Sequence, residues 1–146
     1  MNEPANRKPP TGQVNVRVRY PETDKMGVAW HGHYLAWFEL GRTEWMRSAG
    51  CPYGELEDER GIFFPVVRVG ADYKAPARYD DRLCVRTRLT KLGGARVRFE
   101  YEVLRETTDQ VLATGFTEHG AVDTEGKPCR LPKVLRERLI EYGAAC

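Results

Sequence analysis

Asp24 lies in a turn-rich segment, Pro21 to Gly27, seven residues ahead of His31. His31 stands where the longest helical pattern of the chain begins, so a carboxylate at position 24 would face a helix N-terminus. The first-turn N–H groups of a helix lack intrahelical acceptors and carry the positive end of its dipole. They can polarise a carbonyl while a carboxylate attacks it or activates a water. Each residue also has a plainer reading. An aspartate flanked by proline and glycine is ordinarily a turn or cap residue. A histidine at a helix start is ordinarily a partly exposed first-turn residue, although its near-neutral titration suits it to positioning a substrate or shuttling a proton. His33 reads as surface. Asp24, His31 and His33 find no further ligand at metal-binding spacing, so no metal is expected. Cys51, Cys84, Cys129 and Cys146 have no evident base partner, which argues against a nucleophilic thiol.

The elements around this stretch follow from hydrophobic periodicity. Val14, Val16, Val18 and Tyr20 alternate with Asn15, Arg17 and Arg19, which predicts a strand with one buried face. From Gly32 to Ser48 the period becomes helical, with Leu35, Phe38, Arg42, Trp45 and Met46 three or four apart. Tyr34, Trp37 and Leu40 widen the apolar band until the helix needs cover on most sides. Gly41 in mid-helix costs about 1 kcal/mol relative to alanine. Close approach of a strand or of another subunit would account for it. Glu39, Arg42 and Glu44 read as ion pairs on the helix surface or at an interface. Gly50 and Pro52 end the helix, and residues 53–61 are acidic and predict a loop or a short helical piece.

The rest is strand after strand. Ile62 to Ala75 is apolar and predicts a long strand bent near Gly70. Leu83, Val85, Thr87 and Leu89 form one face of the next, and a hairpin turn at Gly93-Gly94 leads to Val97, Phe99, Tyr101 and Val103. After a turn at Asp109-Gln110, the last strand carries Ala113, Gly115, Thr117 and His119 on one face, small enough to admit a helix. His119 reads there as a satisfied buried histidine. Pro132 opens a short amphipathic helix. One helix followed by a run of hairpins predicts an α+β domain with an antiparallel sheet. It would span residues 13–146, behind a polar, proline-rich tail at residues 1–12.

Composition narrows the function classes. A net charge of +2 with scattered Lys and Arg is no nucleic-acid footprint. No apolar stretch is long enough to span a membrane, and no Cys-x-x-Cys motif occurs. A cytoplasmic protein with reduced thiols is the expectation. No Gly-x-Ser-x-Gly elbow is present, so a serine triad of that kind is absent.

From about Val16 to Leu131 the chain resembles the hotdog-fold acyl-CoA thioesterases, in the branch of the 4-hydroxybenzoyl-CoA and Tol-Pal-associated thioesterases. The resemblance is most specific at Arg19-Tyr20-x-Glu22-Thr23-Asp24-x-x-Gly27, followed by His31, Tyr34, Phe38-Glu39, Gly41-Arg42 and Glu44. Weaker agreement runs through Thr114-Gly115, His119, Val122-Asp123 and Leu131-Pro132. It implies a curved five-stranded antiparallel sheet wrapped around one long central helix. It also implies hydrolysis of a fatty or aromatic acyl-CoA with no cofactor. Asp24 would be the catalytic carboxylate, as nucleophile or general base, and the backbone N–H near His31 would hold the thioester carbonyl. Histidine at position 31 favours aliphatic over aromatic substrates. Gly27, Val28, Gly32 and Tyr34 would border the substrate. Lys91 and Arg96, flanking the Gly93-Gly94 turn, would receive the phosphates of coenzyme A, with Lys74, Arg78 and Arg130 as further cations. Another hotdog clade carries its carboxylate on the helix, where Glu39 is the candidate. The resemblance also implies at least a homodimer, with the site at the interface, and a tetramer beyond it. Two other readings remain: a non-catalytic acyl-CoA binder, and an enoyl-CoA hydratase. Hotdog hydratases pair Asp and His at shorter spacing with Asn-Pro between them, and that dipeptide is missing here.

Overall fold

The alternating segments assemble into one antiparallel sheet. The structure is a computed structural model that describes residues 12–144. The strands are β1 (Gly12–Arg17), β2 (Val66–Tyr73), β3 (Arg82–Leu92), β4 (Arg96–Arg105) and β5 (Gln110–Gly120), in the spatial order β1-β3-β4-β5-β2. Helix α1 (His33–Ser48) lies across one face, with α2 (Tyr53–Arg60) after it and α3 (Lys133–Ala144) at the end of the chain. The expected tail at residues 1–12 falls outside the described residues except for Gly12, which opens β1. Among the described residues no helix is long and apolar enough to cross a membrane.

The period-two faces of β3, β4 and β5 meet α1. Leu83, Val85 and Thr87, then Phe99, Tyr101 and Val103, then Ala113, Thr117 and His119 are buried against Trp37, Phe38, Trp45 and Met46. Phe38 stacks on Tyr101 with ring centroids 4.5 Å apart. Two glycines permit this approach. A Cβ at Gly41 would lie 2.3 Å from the Thr87 hydroxyl, and one at Gly115 would lie 2.5 Å from the Phe38 ring. The strand contact expected at Gly41 is therefore supplied by β3 of the same chain.

Three expectations are corrected. β1 ends at Arg17 rather than running through Tyr20, because the chain passes into a 3-10 turn at Tyr20–Glu22 that contains Pro21. Tyr20 is 76% exposed, its ring edge-on to Tyr79. β2 begins at Val66 rather than Ile62, since Pro65 has no N–H to give to the ladder. Phe63 pairs only as an isolated bridge to Val122. The irregularity in β2 falls between Val66 and Arg68, not at Gly70. Gly70 instead leaves room for Phe116, whose ring would sit 2.4 Å from an added Cβ.

The buried polar groups are mostly paired. Tyr101 and Thr117 hydroxyls lie 2.5 Å apart, Thr117 lies 2.8 Å from His119 Nε2, and His119 Nδ1 lies 3.0 Å from the Phe64 carbonyl. A carbonyl only accepts, so Nδ1 carries the proton and Nε2 accepts from Thr117. Desolvation pushes the His119 pKa down to about 4. Glu44 pairs with Arg47 on the helix surface, as its position suggests. Arg42 instead turns toward the hydroxyls of Tyr53 and Tyr101.

Candidate active site

The loop that carries Asp24 is closed by its own backbone. Glu22 is buried, and its carboxylate accepts from the Arg19 N–H at 2.7 Å. The Glu22 carbonyl accepts from the Trp30 N–H at 2.9 Å, which cinches the base of the loop. Within it, the Asp24 N–H donates to Val28 O at 2.8 Å and the Gly27 N–H to Asp24 O at 2.9 Å. Gly27 takes φ +79°, a left-handed conformation that glycine adopts without penalty. The Ala29 N–H donates to Ala77 O, tying the loop to the segment after β2.

This scaffold leaves Asp24 half-used. Oδ1 accepts from the Met26 N–H at 2.9 Å, and the second carboxylate oxygen has no hydrogen-bond partner among the described residues. The start of α1 is similarly open. Its N-cap is Gly32, which offers no side-chain cap. The Trp30 carbonyl accepts from the His33 N–H at 3.0 Å, while the N–H groups of His31 and Gly32 donate to no acceptor among the described residues. Asp24, with its free carboxylate oxygen, and His31, with its unpaired N–H, thus border one cleft at the start of a 16-residue helix, and Gly32 follows His31 as the helix N-cap.

The cleft measures about 310 Å³ and is walled by Asp24, Val28, His31, Tyr34, Tyr73 and Lys74 among others. Tyr34 is buried, its hydroxyl accepts from the Ala77 N–H at 3.3 Å, and burial pushes its pKa up. Of the site residues expected from sequence, Asp24, Val28, His31 and Tyr34 come together here. Gly27 forms the turn beside them and Gly32 the helix cap. Lys91 and Arg96 lie elsewhere, in a separate cleft of about 540 Å³ with Gly93, Val97 and Arg98. Arg96 pairs with Gly120 while Tyr73 pairs with Ala113, so the two clefts are about 23 Å apart along β5 at ~3.3 Å per residue. Glu39 is exposed and opens on another groove, beside Trp37 and Leu40. Lys74, expected as a further cation for coenzyme A, also lines this cleft, and the structure adds Tyr73 and Glu22 to the site. Tyr73 ends β2, and no local pattern marks which loop such a residue will meet. Glu22 stands within the resemblance motif, but its anchoring role needs the folded turn.

A five-stranded antiparallel sheet around one long helix is the architecture of the hotdog fold. Residues 26–112, more than half of the chain, match the model of the Thioesterase superfamily, a range that opens two residues after Asp24. The chain is 34% identical over 122 residues to the acyl-CoA thioesterase YbgC of Haemophilus influenzae, covering 83% of this chain and 88% of that protein. Among solved structures, a hypothetical protein from Thermus thermophilus aligns with TM-score 0.85 and 38% identity, covering 90% of this chain and 98% of that one. A DHNA-CoA thioesterase from Staphylococcus aureus aligns with TM-score 0.79 and 31% identity, covering 92% of this chain and 87% of that one. The chain belongs to the thioesterase superfamily and is a thioester hydrolase.

Proposed function

We propose that this protein hydrolyses fatty or aromatic acyl-CoA thioesters in the cleft at the start of α1, with Asp24 as the reacting carboxylate. The observation that carries the reading is that Asp24, with an unpaired carboxylate oxygen, shares that cleft with His31, at a helix start where the His31 and Gly32 N–H groups have no acceptor among the described residues. The thioester carbonyl accepts from those donors, which stabilise the oxyanion as it forms. Asp24 either attacks the carbonyl carbon to give a mixed anhydride or takes a proton from the attacking water. The thiolate of coenzyme A leaves without a strong general acid. The names of YbgC and of the DHNA-CoA thioesterase support a coenzyme A thioester as substrate.

The site is completed by a second copy. β2 is an edge strand, and Val66, Val67, Val69 and Tyr73 on it are 43–47% exposed. Two β2 strands paired antiparallel about a two-fold axis cover this surface and satisfy the open edge. The same operation reverses strand direction, so the Val66 end of one copy meets the Tyr73 end of the other. The partner's Lys91 and the partner's Arg96 then approach Asp24 and can take the phosphates of coenzyme A. Two such dimers form the homotetramer. Incubation with a panel of aliphatic and aromatic acyl-CoAs and a thiol reagent tests the reading. Release of free coenzyme A is expected. Binding without release would point to a non-catalytic carrier, and water addition to an enoyl-CoA without release would point to a hydratase.

A further inference from the structure

The peptide that opens α1 is weakly held by the helix itself. Its N-cap, Gly32, has neither a side-chain cap nor a Cβ, and the Trp30 indole fills the place where a Cβ would lie, 2.3 Å away. The first-turn bonds are long: Tyr34 N–H to His31 O is 3.4 Å and Leu35 N–H to Gly32 O is 3.3 Å. His33 N–H reaches Trp30 O at 3.0 Å, and the shortest bond to the His31–Gly32 peptide comes from the sheet. The Tyr73 hydroxyl donates to the His31 carbonyl at 2.8 Å. Its ring stands edge-on to Tyr34 at 5.0 Å and to His31 at 6.2 Å, so the phenol is buttressed in that pose.

We propose that Tyr73 is a positioning residue for the thioesterase reaction, fixing the His31–Gly32 peptide so that its N–H stays aimed at the substrate carbonyl. In a trans peptide the N–H of Gly32 runs antiparallel to the C=O of His31. A hydrogen bond that fixes the carbonyl therefore fixes the donor on the other side. Donors held in advance stabilise an oxyanion without reorganising as charge develops, so the benefit belongs to the transition state. Ground-state binding depends little on it. Tyr73 also lies on the exposed edge strand, which couples the alignment of the donors to the surface where a second copy pairs. The assignment rests on reading Asp24 and the helix start as the active site.

Tyr73→Phe keeps the ring and removes only the hydroxyl. The expected result is a fall in kcat of about tenfold, with KM within about twofold and an unchanged assembly state. Two non-hydrolysable inhibitors separate alignment from a general structural role. A dethia acyl-CoA bearing a trifluoromethyl ketone, which presents an oxyanion on attack, should bind the variant about tenfold more weakly. A thioether analogue of the same chain length should bind as to wild type. Unchanged kcat in Tyr73→Phe would overturn the assignment, as would equal weakening of both analogues. Asp24→Asn, assayed alongside, reports on the site itself: an active Asp24→Asn enzyme overturns the reading of the cleft, whereas unchanged kcat in Tyr73→Phe overturns only the role of Tyr73.

Discussion

Asp24 is held by one carboxylate oxygen and open at the other, and that asymmetry suits a reacting group. The Met26 N–H fixes its direction and leaves the second oxygen without a partner among the described residues. His119 shows the opposite design. Both of its nitrogens are engaged, its side chain is fully buried, and desolvation pushes its pKa from 6.5 down to about 4. The fold therefore holds the neutral imidazole. As pH falls below 6.5 the unfolded chain takes up a proton that the folded chain refuses until about pH 4. The contribution of His119 is thus complete above pH 6.5 and is lost between there and pH 4, on the order of 2–3 kcal/mol. Thermal midpoints measured across that range should fall for wild type and fall less for His119→Gln. Equal slopes for both would contradict the assignment. The sequence marked His119 as a satisfied core histidine and gathered Asp24, Val28, His31 and Tyr34 around one helix start. It could not supply Tyr73, because a tyrosine at a strand end 42 residues from His31 carries no local sign of its partner.

Contact between α1 and the sheet depends on what is missing as much as on what is present. Gly41 brings the helix onto Thr87, whose hydroxyl has no hydrogen-bond partner, and onto Val85. Gly41→Ala gains about 1 kcal/mol of helix propensity. It also places a methyl 2.3 Å from Thr87 Oγ1 and 3.1 Å from Val85 Cγ1. Overpacking should prevail, with a net loss of about 1–2 kcal/mol in urea unfolding. Adding Thr87→Ala removes the nearer clash and should restore more than half of that loss. A Gly41→Ala protein as stable as wild type would show that the helix can slide freely on the sheet. Element identity was legible wherever alternation was strict. β3 runs Arg82–Leu92 as its alternation predicts, and the buried faces of β3 and β4 fall on the expected residues. The misplaced boundaries lie beside prolines, at Pro21 and Pro65, where apolar residues continue but the donor needed for pairing is lost.

At the scale of the molecule, one chain presents a carboxylate at one end of β2 and the expected phosphate-binding cations at the other, about 23 Å apart along the strands. The turn segment and the resemblance pointed to Asp24, and the Gly93-Gly94 turn to Lys91 and Arg96, but their separation emerges only from the register. The proposed pairing of two copies through β2 would bring the two sets together. Sedimentation at low micromolar concentration should therefore show an active species of at least twice 16.7 kDa. A fully active monomer would remove the interface site. The central claim is that the Asp24 carboxylate drives thioester hydrolysis, and the most direct measurement is kcat for coenzyme A release by Asp24→Asn, with coenzyme A binding measured on the same sample. The amide keeps the shape and loses the charge, so binding should persist while kcat falls well beyond tenfold, more than about 1.4 kcal/mol in barrier terms. An Asp24→Asn enzyme that keeps more than about a tenth of kcat would contradict the account and move the reacting carboxylate to Glu39.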